Sequence, residues 1–289
     1  MKDQTDSRIK KYYNLAKPGI VYGNLISTIA GFFLASKGHF TLLTFIGILL
    51  GVSFIIGSAC VCNNYIDRDI DRNMARTKNR SLVTEEISKR SAIIYALILG
   101  LLGFTSLILF TNILTALLGL AGFLLYTIIY GIAKRKTVYS TLIGSLSGSM
   151  PIIAGYTAVT NRIDLGAILI FIIMALWQMP HFYAIAIRHL DDYTDAGLMV
   201  WPVKRGVQST KWQILYYIIA FTIAALLLTV FGYTGYIYLF VMTILSVIWI
   251  YLSLKGFKTD NDTVWAKKLF LFSLIVLLTF CLVLSLGKL

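Results

Sequence analysis

Residues 41–72 read TLLTFIGILLGVSFIIGSACVCNNYIDRDIDR. The part up to Cys62 carries no charged side chain and is long enough to cross a bilayer, which takes about 20 apolar residues in a helix. The part after Cys62 instead mixes aspartate with arginine and isoleucine. An apolar helix that ends in such a charged segment predicts a membrane span with a polar site at the membrane surface.

Apolar runs of similar length recur on both sides of this stretch. Of the 289 residues, 58% are hydrophobic and only 13% are charged, whereas soluble domains carry about 25% charged residues. This composition excludes an ordinary soluble enzyme, a disordered chain and a nucleic-acid-binding domain. The sequence predicts an all-α polytopic membrane protein in which a single domain, 1–289, contains nine transmembrane helices. The predicted spans are about 19–36, 41–62, 91–110, 113–133, 139–159, 165–187, 212–231, 234–254 and 267–287.

The distribution of basic residues predicts the orientation of these spans. With the N-terminus on the cytoplasmic side, the 26 Lys and Arg residues fall in cytoplasmic segments with three exceptions, Lys37, Arg162 and Lys288. Cytoplasmic loops of membrane proteins are enriched in Lys and Arg. The net charge of +13 therefore reflects membrane topology. We expect a multi-pass protein of a bacterial cytoplasmic (inner) membrane, with its C-terminus in the periplasm.

The acidic residues are concentrated on the same side of the membrane. All of the 13 Asp and Glu residues except Asp164 lie in the cytoplasmic segments. Two clusters follow the second and the sixth span: Asp67, Asp69 and Asp71, and Asp191, Asp192 and Asp195. Because four spans separate the clusters, we expect two related halves of four helices plus one further helix. The loops at about 63–90 and 188–210 are the expected catalytic segments.

The first acidic cluster has the spacing of one helix face. Asn63, Asp67 and Asp71 lie four residues apart, so they share a face if the second helix continues beyond the bilayer edge. Carboxylates this close repel each other, and a hard divalent cation with oxygen ligands is a natural partner for them. The interleaved arginine and lysine residues suit the remaining oxygens of a bound phosphate. The alternative is that these acids and bases only pair with one another in a solvated loop.

The sixth span carries an ionisable residue well inside its apolar run. His181 follows Pro180, which is expected to kink the helix or to free backbone groups. Trp177 lies one turn before His181, and Arg188 and Asp192 fall on the same face if the helix continues. A neutral imidazole at this depth can ligate haem iron, act as an acid or base, or hydrogen-bond another helix. The residue type alone does not decide among these roles.

The first acidic segment resembles the N-x-x-x-D-x-x-x-D signature of the UbiA-type intramembrane prenyltransferases. The matching residues are Asn63-Asn64-Tyr65-Ile66-Asp67-Arg68-Asp69-Ile70-Asp71-Arg72, followed by Arg76-Thr77-Lys78-Asn79-Arg80. The segments that resemble the haem branch of the family are Trp177-Gln178-Met179-Pro180-His181, Asp191-Asp192-Tyr193, Lys17-Pro18-Gly19 and the stretch from Ser140 to Tyr156. The resemblance covers nearly the whole chain, although Ser81 stands where the family often has a proline.

The resemblance implies nine transmembrane helices around a central cavity, Mg²⁺ held by the two aspartate motifs, and farnesyl diphosphate as the prenyl donor. The farnesyl group would be transferred to a vinyl group of haem b (protoheme IX), with addition of water, giving haem O and diphosphate. Haem O is the cofactor of terminal oxidases or the precursor of haem A. Besides membrane lipid, a terminal oxidase or a haem A synthase is therefore an expected partner, and no nucleic acid is.

The resemblance also implies a role for each motif residue. The expected catalytic residues are Asp67, Asp71 and Asp192. Two Mg²⁺ ions, bound through the diphosphate, would be held by Asn63, Asp67, Asp71, Asp191, Asp192 and Asp195. The diphosphate itself would be bound by Arg76, Lys78, Arg80, Lys134 and Arg135. Haem b would be contacted by His181 and Trp177. Asp195 has the wider family's spacing from Asp191, which is less typical of the haem branch.

Two other functions are compatible with parts of the pattern. A UbiA-type prenyltransferase acting on another acceptor, such as 4-hydroxybenzoate, would share the metal motifs but gives no special reason for Trp177, Pro180 and His181. An ion-coupled transporter would place its coupling charges near the bilayer midplane, whereas both acidic clusters lie at the cytoplasmic edge.

Overall fold

The helices of the protein are assigned from a computed structural model, which describes residues 2–38 and 40–287 and, within them, the side chains from Arg8 onward. Lys288, expected on the periplasmic side, lies outside the described residues. The helices are α1 (Lys2–Leu15), α2 (Pro18–Ser36), α3 (Leu42–Ile66), α4 (Arg68–Arg72), α5 (Lys89–Phe110), α6 (Ile113–Leu124), α7 (Tyr130–Lys136), α8 (Ser140–Gly148), α9 (Met150–Thr160), α10 (Leu165–Arg188), α11 (Leu190–Asp195), α12 (Trp201–Val230), α13 (Tyr236–Lys255) and α14 (Asp262–Ser285).

The predicted all-helical fold with nine spans is confirmed. Within the described ranges, nine stretches are long and apolar enough to cross a membrane. These stretches are Pro18–Ser36, Leu42–Ile66, Lys89–Phe110, Ile113–Lys136, Ser140–Thr160, Leu165–Arg188, Trp201–Val230, Tyr236–Lys258 and Asp262–Ser285. Two of them combine two helices: α6 and α7 are joined by a π-helical turn, Leu125–Ile129, and α8 and α9 meet at Ser149.

Polar side chains fix the points at which several spans begin. Asn112 accepts a hydrogen bond from the amide of Thr115 at the start of α6, and Asp164 accepts one from Ala167 at the start of α10. The same type of cap begins α3 at Thr41. These caps satisfy backbone amides that have no partner inside the helix.

The predicted start of the seventh span, about 212, is late, because α12 runs from Trp201 to Val230 with a break at Gly206. The added segment contains lysine and arginine and therefore reads as a loop. Gly206, with φ 81, separates it from the apolar part of the helix. Lys211 is buried and pairs with Asp262 at 2.6 Å. Asp262 begins α14, which consequently starts before the predicted residue 267.

The second and the sixth spans each end at one residue with non-helical backbone angles, and each is followed by a short helix. After α3 ends, the amides of Asp67 and Asp71 still donate to the carbonyls four residues earlier, at 2.9 and 2.8 Å. The helical register therefore carries on into α4. The sixth span has the same pattern. Helix α10 ends at Arg188, His189 has φ −118 and ψ 34, and the amides of His189 and Tyr193 donate to the carbonyls four residues earlier, both at 3.1 Å. Asp192 lies on the short helix α11 that follows.

The helices pack through close crossings and large apolar side chains. A Cβ added to Gly31 of α2 would lie 2.0 Å from the carbonyl oxygen of Ile152 in α9, and one added to Gly155 would lie 2.0 Å from that of Thr28. Such small residues let two helix backbones approach each other in a membrane. The buried apolar residues that the structure describes form three clusters. The largest surrounds α10, α12, α13 and α14, and the second surrounds α3, α5 and α6, with α2 and α9 contributing to both. In the third, Leu15, Leu82 and Ile87 pack against α3 and α5.

Candidate active site

A central cavity of about 490 Å³ lies between the helices. Apolar residues such as Val52 and Ile55 of α3 and Leu277 of α14 form much of its wall. Lys134 lines the end at which the two acidic clusters are found, here called the charged end. His181 of α10 lines the cavity further along. The cavity is therefore mainly apolar and has the ammonium group of Lys134 at its charged end.

At the charged end, each of three oxygen-bearing side chains of the first acidic motif is buried and bound to a basic residue: Asn63 to Lys17, Asp67 to Lys134, and Asp71 to Arg80. The Lys17 ammonium donates to Asn63 at 3.0 Å, and Arg80 donates to Asp71 at 2.6 Å. The acids and bases therefore do pair with one another. They pair in the protein interior, however, and not in a solvated loop.

The first motif also has unsatisfied polar atoms. Oδ1 of Asp67 and Nδ2 of Asn63 are buried without a hydrogen-bond partner among the described residues. The guanidinium of Arg135 is 3.7 Å from Oδ1 of Asp67, which is too far for a hydrogen bond. A buried carboxylate oxygen with free lone pairs is costly unless a cation occupies the space beside it. The donor set of Asn63, Asp67 and Asp71 is thus compatible with a hard divalent cation.

Arg135 forms its hydrogen bonds at the exposed outer edge of the site. Its guanidinium donates to both carboxylate oxygens of Asp69, at 2.7 and 2.9 Å, and to the carbonyl of Ile66 at 3.1 Å. These hydrogen bonds hold the pKa of Asp69 well below its usual range. Such a bidentate pair fixes the position of the guanidinium.

Of the other predicted diphosphate ligands, Arg76 lies near residues of the second acidic motif. Arg76 and Lys78 are exposed. Burial lowers the pKa of His189, and the nearby positive charge of Arg76 lowers it further. Burial raises the pKa of Tyr193, which the charge of Arg76 opposes. Arg76 therefore reaches from the first motif toward the second.

The second acidic motif is more open than the first. Asp191 and Asp195 are exposed, and Asp192 is half-buried with its carboxylate 3.9 Å from Nδ1 of His189. Over residues 2–38 and 40–287, no three His, Cys, Asp or Glu side chains are grouped so as to hold a metal ion. The two motifs are therefore not brought into one carboxylate cluster.

The loop after the second motif is nevertheless fixed against the charged end of the cavity. The amide of Met199 donates to the carbonyl of Lys134 at 3.2 Å. Val200 forms an isolated β-bridge with Tyr139. These contacts hold the loop beside the helix that carries Lys134.

The predicted haem-contacting residues form one aromatic wall of the cavity. The rings of Trp177 and His181 stack with centroids 4.8 Å apart, and Phe270 of α14 lies 4.9 Å from His181. Nδ1 of His181 is 2.8 Å from Oγ of Ser273, and the indole N–H of Trp177 donates to the Ser273 carbonyl at 2.8 Å. The Arg188 guanidinium lies 5.5 Å from the Phe270 ring. Trp177, His181 and Arg188 thus share a face of α10.

Lys17 is a site residue that the sequence analysis did not assign. It precedes α2 in a left-handed conformation, with φ 53, which is uncommon for a residue other than glycine. Burial lowers the pKa of its ammonium group to about 8. Lys17 belongs to a segment that resembles the haem branch, but no spacing in the sequence connects it with Asn63.

Tyr126 and Tyr130 also lie in the candidate site, although no pattern in the sequence indicates this. The π-helical turn between α6 and α7 contains Tyr126 and is followed by Tyr130, and the two rings stack at 5.8 Å. The Tyr126 hydroxyl lies 3.5 Å from Oδ1 of Asn63, and the Lys134 ammonium lies 5.3 Å from the Tyr130 ring centroid. Single π-helical turns are frequent at functional sites.

Comparison with known proteins agrees with this architecture. The model of the UbiA prenyltransferase family matches residues 24–275. The protoheme IX farnesyltransferase of Photorhabdus laumondii is 50% identical over 278 residues, which cover 96% of this chain and 95% of that protein. A structure reported for digeranylgeranylglyceryl phosphate synthase in membranes has a TM-score of 0.81 at 19% identity, covering 97% of this chain and 98% of that chain. A UbiA homolog from Archaeoglobus fulgidus bound to DMAPP and Mg²⁺ has a TM-score of 0.68 at 18% identity, covering 92% of this chain and 99% of that chain.

At these low identities the two solved structures support the fold alone. The family match and the identity over nearly the full length go further. They favour neither an ion-coupled transporter nor a prenyltransferase for another acceptor. The chain belongs to the UbiA prenyltransferase family.

Proposed function

We propose that the protein transfers the farnesyl group of farnesyl diphosphate to a vinyl group of haem b, with addition of water, to give haem O and diphosphate. The observation that carries this proposal is the 50% identity, over 96% of the chain, with a protoheme IX farnesyltransferase. The geometry supports it, because the charged end, where a diphosphate would bind, adjoins an apolar cavity that is lined by a histidine.

The first motif is the proposed Mg²⁺ site. Asn63, Asp67 and Asp71 supply oxygen ligands, and the unpartnered Oδ1 of Asp67 supports the presence of a cation there. A UbiA homolog from Archaeoglobus fulgidus is bound to Mg²⁺ together with DMAPP. When bound, Mg²⁺ neutralises the charge of the diphosphate leaving group. We assign a second ion to Asp191, Asp192 and Asp195, which the diphosphate would link to the first motif.

The basic residues hold the diphosphate. Each of the three prospective metal ligands is in contact with a basic side chain, from Lys17, Lys134 or Arg80. When the metal binds those ligands, these basic side chains would bind the phosphate oxygens instead. The remaining basic residues of the proposed diphosphate site are Arg76, Lys78 and Arg135. Preorganised cations aimed at the departing diphosphate stabilise the charge that develops in the transition state. Asp67, Asp71 and Asp192 are the acids we propose to be essential for this step.

The apolar cavity controls the fate of the farnesyl group once the diphosphate has left. Cleavage of the bond between C1 of the farnesyl group and oxygen leaves an allylic cation, which water must not reach first. The vinyl group of haem b attacks C1 and forms the new carbon–carbon bond. Water then adds to the cation beside the porphyrin ring and releases a proton. His181 and Trp177 are proposed to hold the haem in this cavity.

The location of the reaction depends on the membrane topology that we propose. The chain is a multi-pass membrane protein. We assign it to the bacterial inner membrane, with the N-terminus in the cytoplasm and the C-terminus in the periplasm. The domain is taken to comprise 1–289, with catalytic loops at about 63–90 and 188–210. The product would be passed to a terminal oxidase or to a haem A synthase.

The proposal is tested by incubating membranes that contain the protein with iron protoporphyrin IX, farnesyl diphosphate and Mg²⁺. Mass spectrometry of the extracted pigment is expected to show haem plus one farnesyl group and one water. EDTA is expected to abolish this product. Release of diphosphate without a modified haem would contradict the acceptor, and a product formed equally well in EDTA would contradict the metal assignment.

A further inference from the structure

Ser273 connects the histidine of the cavity to the backbone of α14. Its side chain is fully buried. Oγ of Ser273 lies 2.8 Å from Nδ1 of His181 and 2.6 Å from the carbonyl oxygen of Phe270. The hydroxyl can donate only one hydrogen bond, so it must accept one from the other of these two atoms.

The short distance to Phe270 determines the position of this proton. Two oxygen acceptors at 2.6 Å repel each other unless a proton lies between them, and a carbonyl oxygen carries none. The Ser273 hydroxyl therefore donates to Phe270. Its lone pairs face Nδ1 of His181, which in turn must donate. We assign the Nδ1–H tautomer to His181 from this hydrogen-bond network.

His181 lines the cavity, and its other ring nitrogen, Nε2, is not among the fully buried atoms that lack a partner, so Nε2 is open to the cavity. The ring is held between Trp177, Phe270 and Phe182, and no carboxylate pairs with it among the described residues. An imidazolium in such apolar surroundings is unfavourable, so the ring is neutral. Nε2 has no hydrogen bond to another described residue. Because Nδ1 carries the proton, Nε2 presents a lone pair.

A lone pair at Nε2 distinguishes between two ways of holding haem. A propionate group of haem needs a hydrogen-bond donor, which Nε2 in this tautomer is not. Haem iron needs a donor of electrons, which a neutral imidazole is. The guanidinium of Arg188, on the same face of α10 and 5.5 Å from the Phe270 ring, is a donor of the kind that a propionate requires.

On the basis of the proposed function, we propose that Ser273 fixes His181 in the Nδ1–H tautomer, so that Nε2 ligates the iron of the haem substrate. Ser273 is then a positioning residue that acts through His181. The hydrogen-bond partner of a metal-bound histidine sets its tautomer, and loss of that partner costs about 10–100-fold in metal affinity.

The test is titration of the purified full-length protein in detergent with ferric haem b, followed by absorption and EPR spectroscopy. The wild type is expected to give the spectrum of a histidine-ligated haem. Ser273→Ala is expected to weaken haem binding by about 10–100-fold. His181→Asn keeps an N–H donor for Ser273 but has no atom at the Nε2 position, so the ligated spectrum is expected to disappear. Added imidazole is expected to restore that spectrum in His181→Gly.

Ser285→Ala is the matched control. Ser285 lies on the same helix and donates to the carbonyl of Cys281 at 2.8 Å, but among the described residues it has no hydrogen bond to a histidine. Its variant is expected to bind haem as the wild type does. Wild-type spectra and affinity in both Ser273→Ala and His181→Asn would overturn the proposal. Loss of the spectrum in His181→Asn together with wild-type haem affinity in Ser273→Ala would overturn the role of Ser273. Farnesylated haem, measured after farnesyl diphosphate and Mg²⁺ are added to the wild-type sample, reports separately on the proposed function.

Discussion

In the first motif, the oxygen-bearing side chains that we propose as Mg²⁺ ligands are paired with basic residues that we propose to bind the diphosphate. Each prospective metal ligand is already bound to a basic residue: Asn63 to Lys17, Asp67 to Lys134 and Asp71 to Arg80. Removing one member of a buried ion pair leaves an uncompensated charge, which costs about 3–5 kcal/mol. If Mg²⁺ takes the oxygen ligands while the basic residues take the diphosphate, both sets of charges stay paired. We therefore expect the metal and the diphosphate to bind cooperatively.

Asp67→Asn and Asp71→Asn test the role of the two buried carboxylates. Each substitution keeps the shape of the side chain but removes the charge that a metal ion requires. We expect haem farnesylation, measured by mass spectrometry, to fall at least about 100-fold. Glu85→Gln is the control, because Glu85 is an exposed carboxylate of the same loop, 3.7 Å from Arg72. Near wild-type turnover in either aspartate variant, or an equal loss in the control, would contradict the metal assignment.

Lys17→Met tests a residue that only the structure assigns to the site. The substitution keeps a long side chain but removes the ammonium that bonds Asn63. We expect the KM for farnesyl diphosphate to rise about tenfold or more, since one charge-assisted contact to the diphosphate is lost. Lys10→Met, at an exposed position of α1, provides the comparison and is expected to keep the wild-type KM. An unchanged KM in Lys17→Met would exclude this lysine from the diphosphate site.

The sequence predicted those site residues that lie on one periodic segment. Asn63, Asp67 and Asp71 are separated by helical turns, so their common face could be read from the spacing. Lys17 and Tyr126 contact Asn63 from 46 and 63 residues away. Contacts at such separations depend on how the helices pack, and periodicity within a segment carries no information about them.

Helices that deviate from regular geometry explain most of the differences between the predicted and observed elements. The sequence places the start of the seventh span too late, because the first residues of α12 are polar. Gly206, with φ 81, separates these residues from the apolar part of the helix. The interruption of the fifth span at Ser149 agrees with its many Ser, Gly and Pro residues. The π-helical turn Leu125–Ile129 lies in an apolar run that reads as an ordinary helix. Its position depends on tertiary contacts.

Gly155→Ala tests the close crossing of α2 and α9. The new Cβ would lie 2.0 Å from the carbonyl oxygen of Thr28, so one backbone must move. We expect a loss of about 1–3 kcal/mol in stability, measured as a lower Tm of the detergent-solubilised protein. Gly131→Ala is the control, because a Cβ at Gly131 meets no atom within 4 Å. A Tm of Gly155→Ala equal to that of the control would contradict the crossing.

At the scale of the whole molecule, the positions of the basic and acidic residues along the chain predict that almost all of them lie on one side of the membrane. The excess of Lys and Arg between alternate spans defines the topology without any knowledge of packing. The described structure has nine candidate spans, in agreement with that count. The cavity, in contrast, arises from the packing of side chains on several helices, and no single segment of the sequence predicts its lining.

The proposed orientation is tested with single cysteines and a membrane-impermeant thiol reagent on intact cells. Ile163→Cys lies in an exposed loop on the proposed periplasmic side and is expected to react. Asp260→Cys lies in an exposed loop on the proposed cytoplasmic side and is expected to react only after the membrane is opened. The wild type shows the background from its own cysteines, of which Cys60 and Cys281 are buried. The reverse pattern of labelling would invert the topology.

The identity of the acceptor is tested most directly by competition. Purified protein in lipid vesicles receives farnesyl diphosphate, Mg²⁺ and equal amounts of haem b and 4-hydroxybenzoate, and all products are identified by mass spectrometry. We predict that the farnesyl group is found on haem, together with one added water, and not on the phenol. A farnesylated phenol with unmodified haem would contradict the proposed function, even though the enzyme would still act as a prenyltransferase.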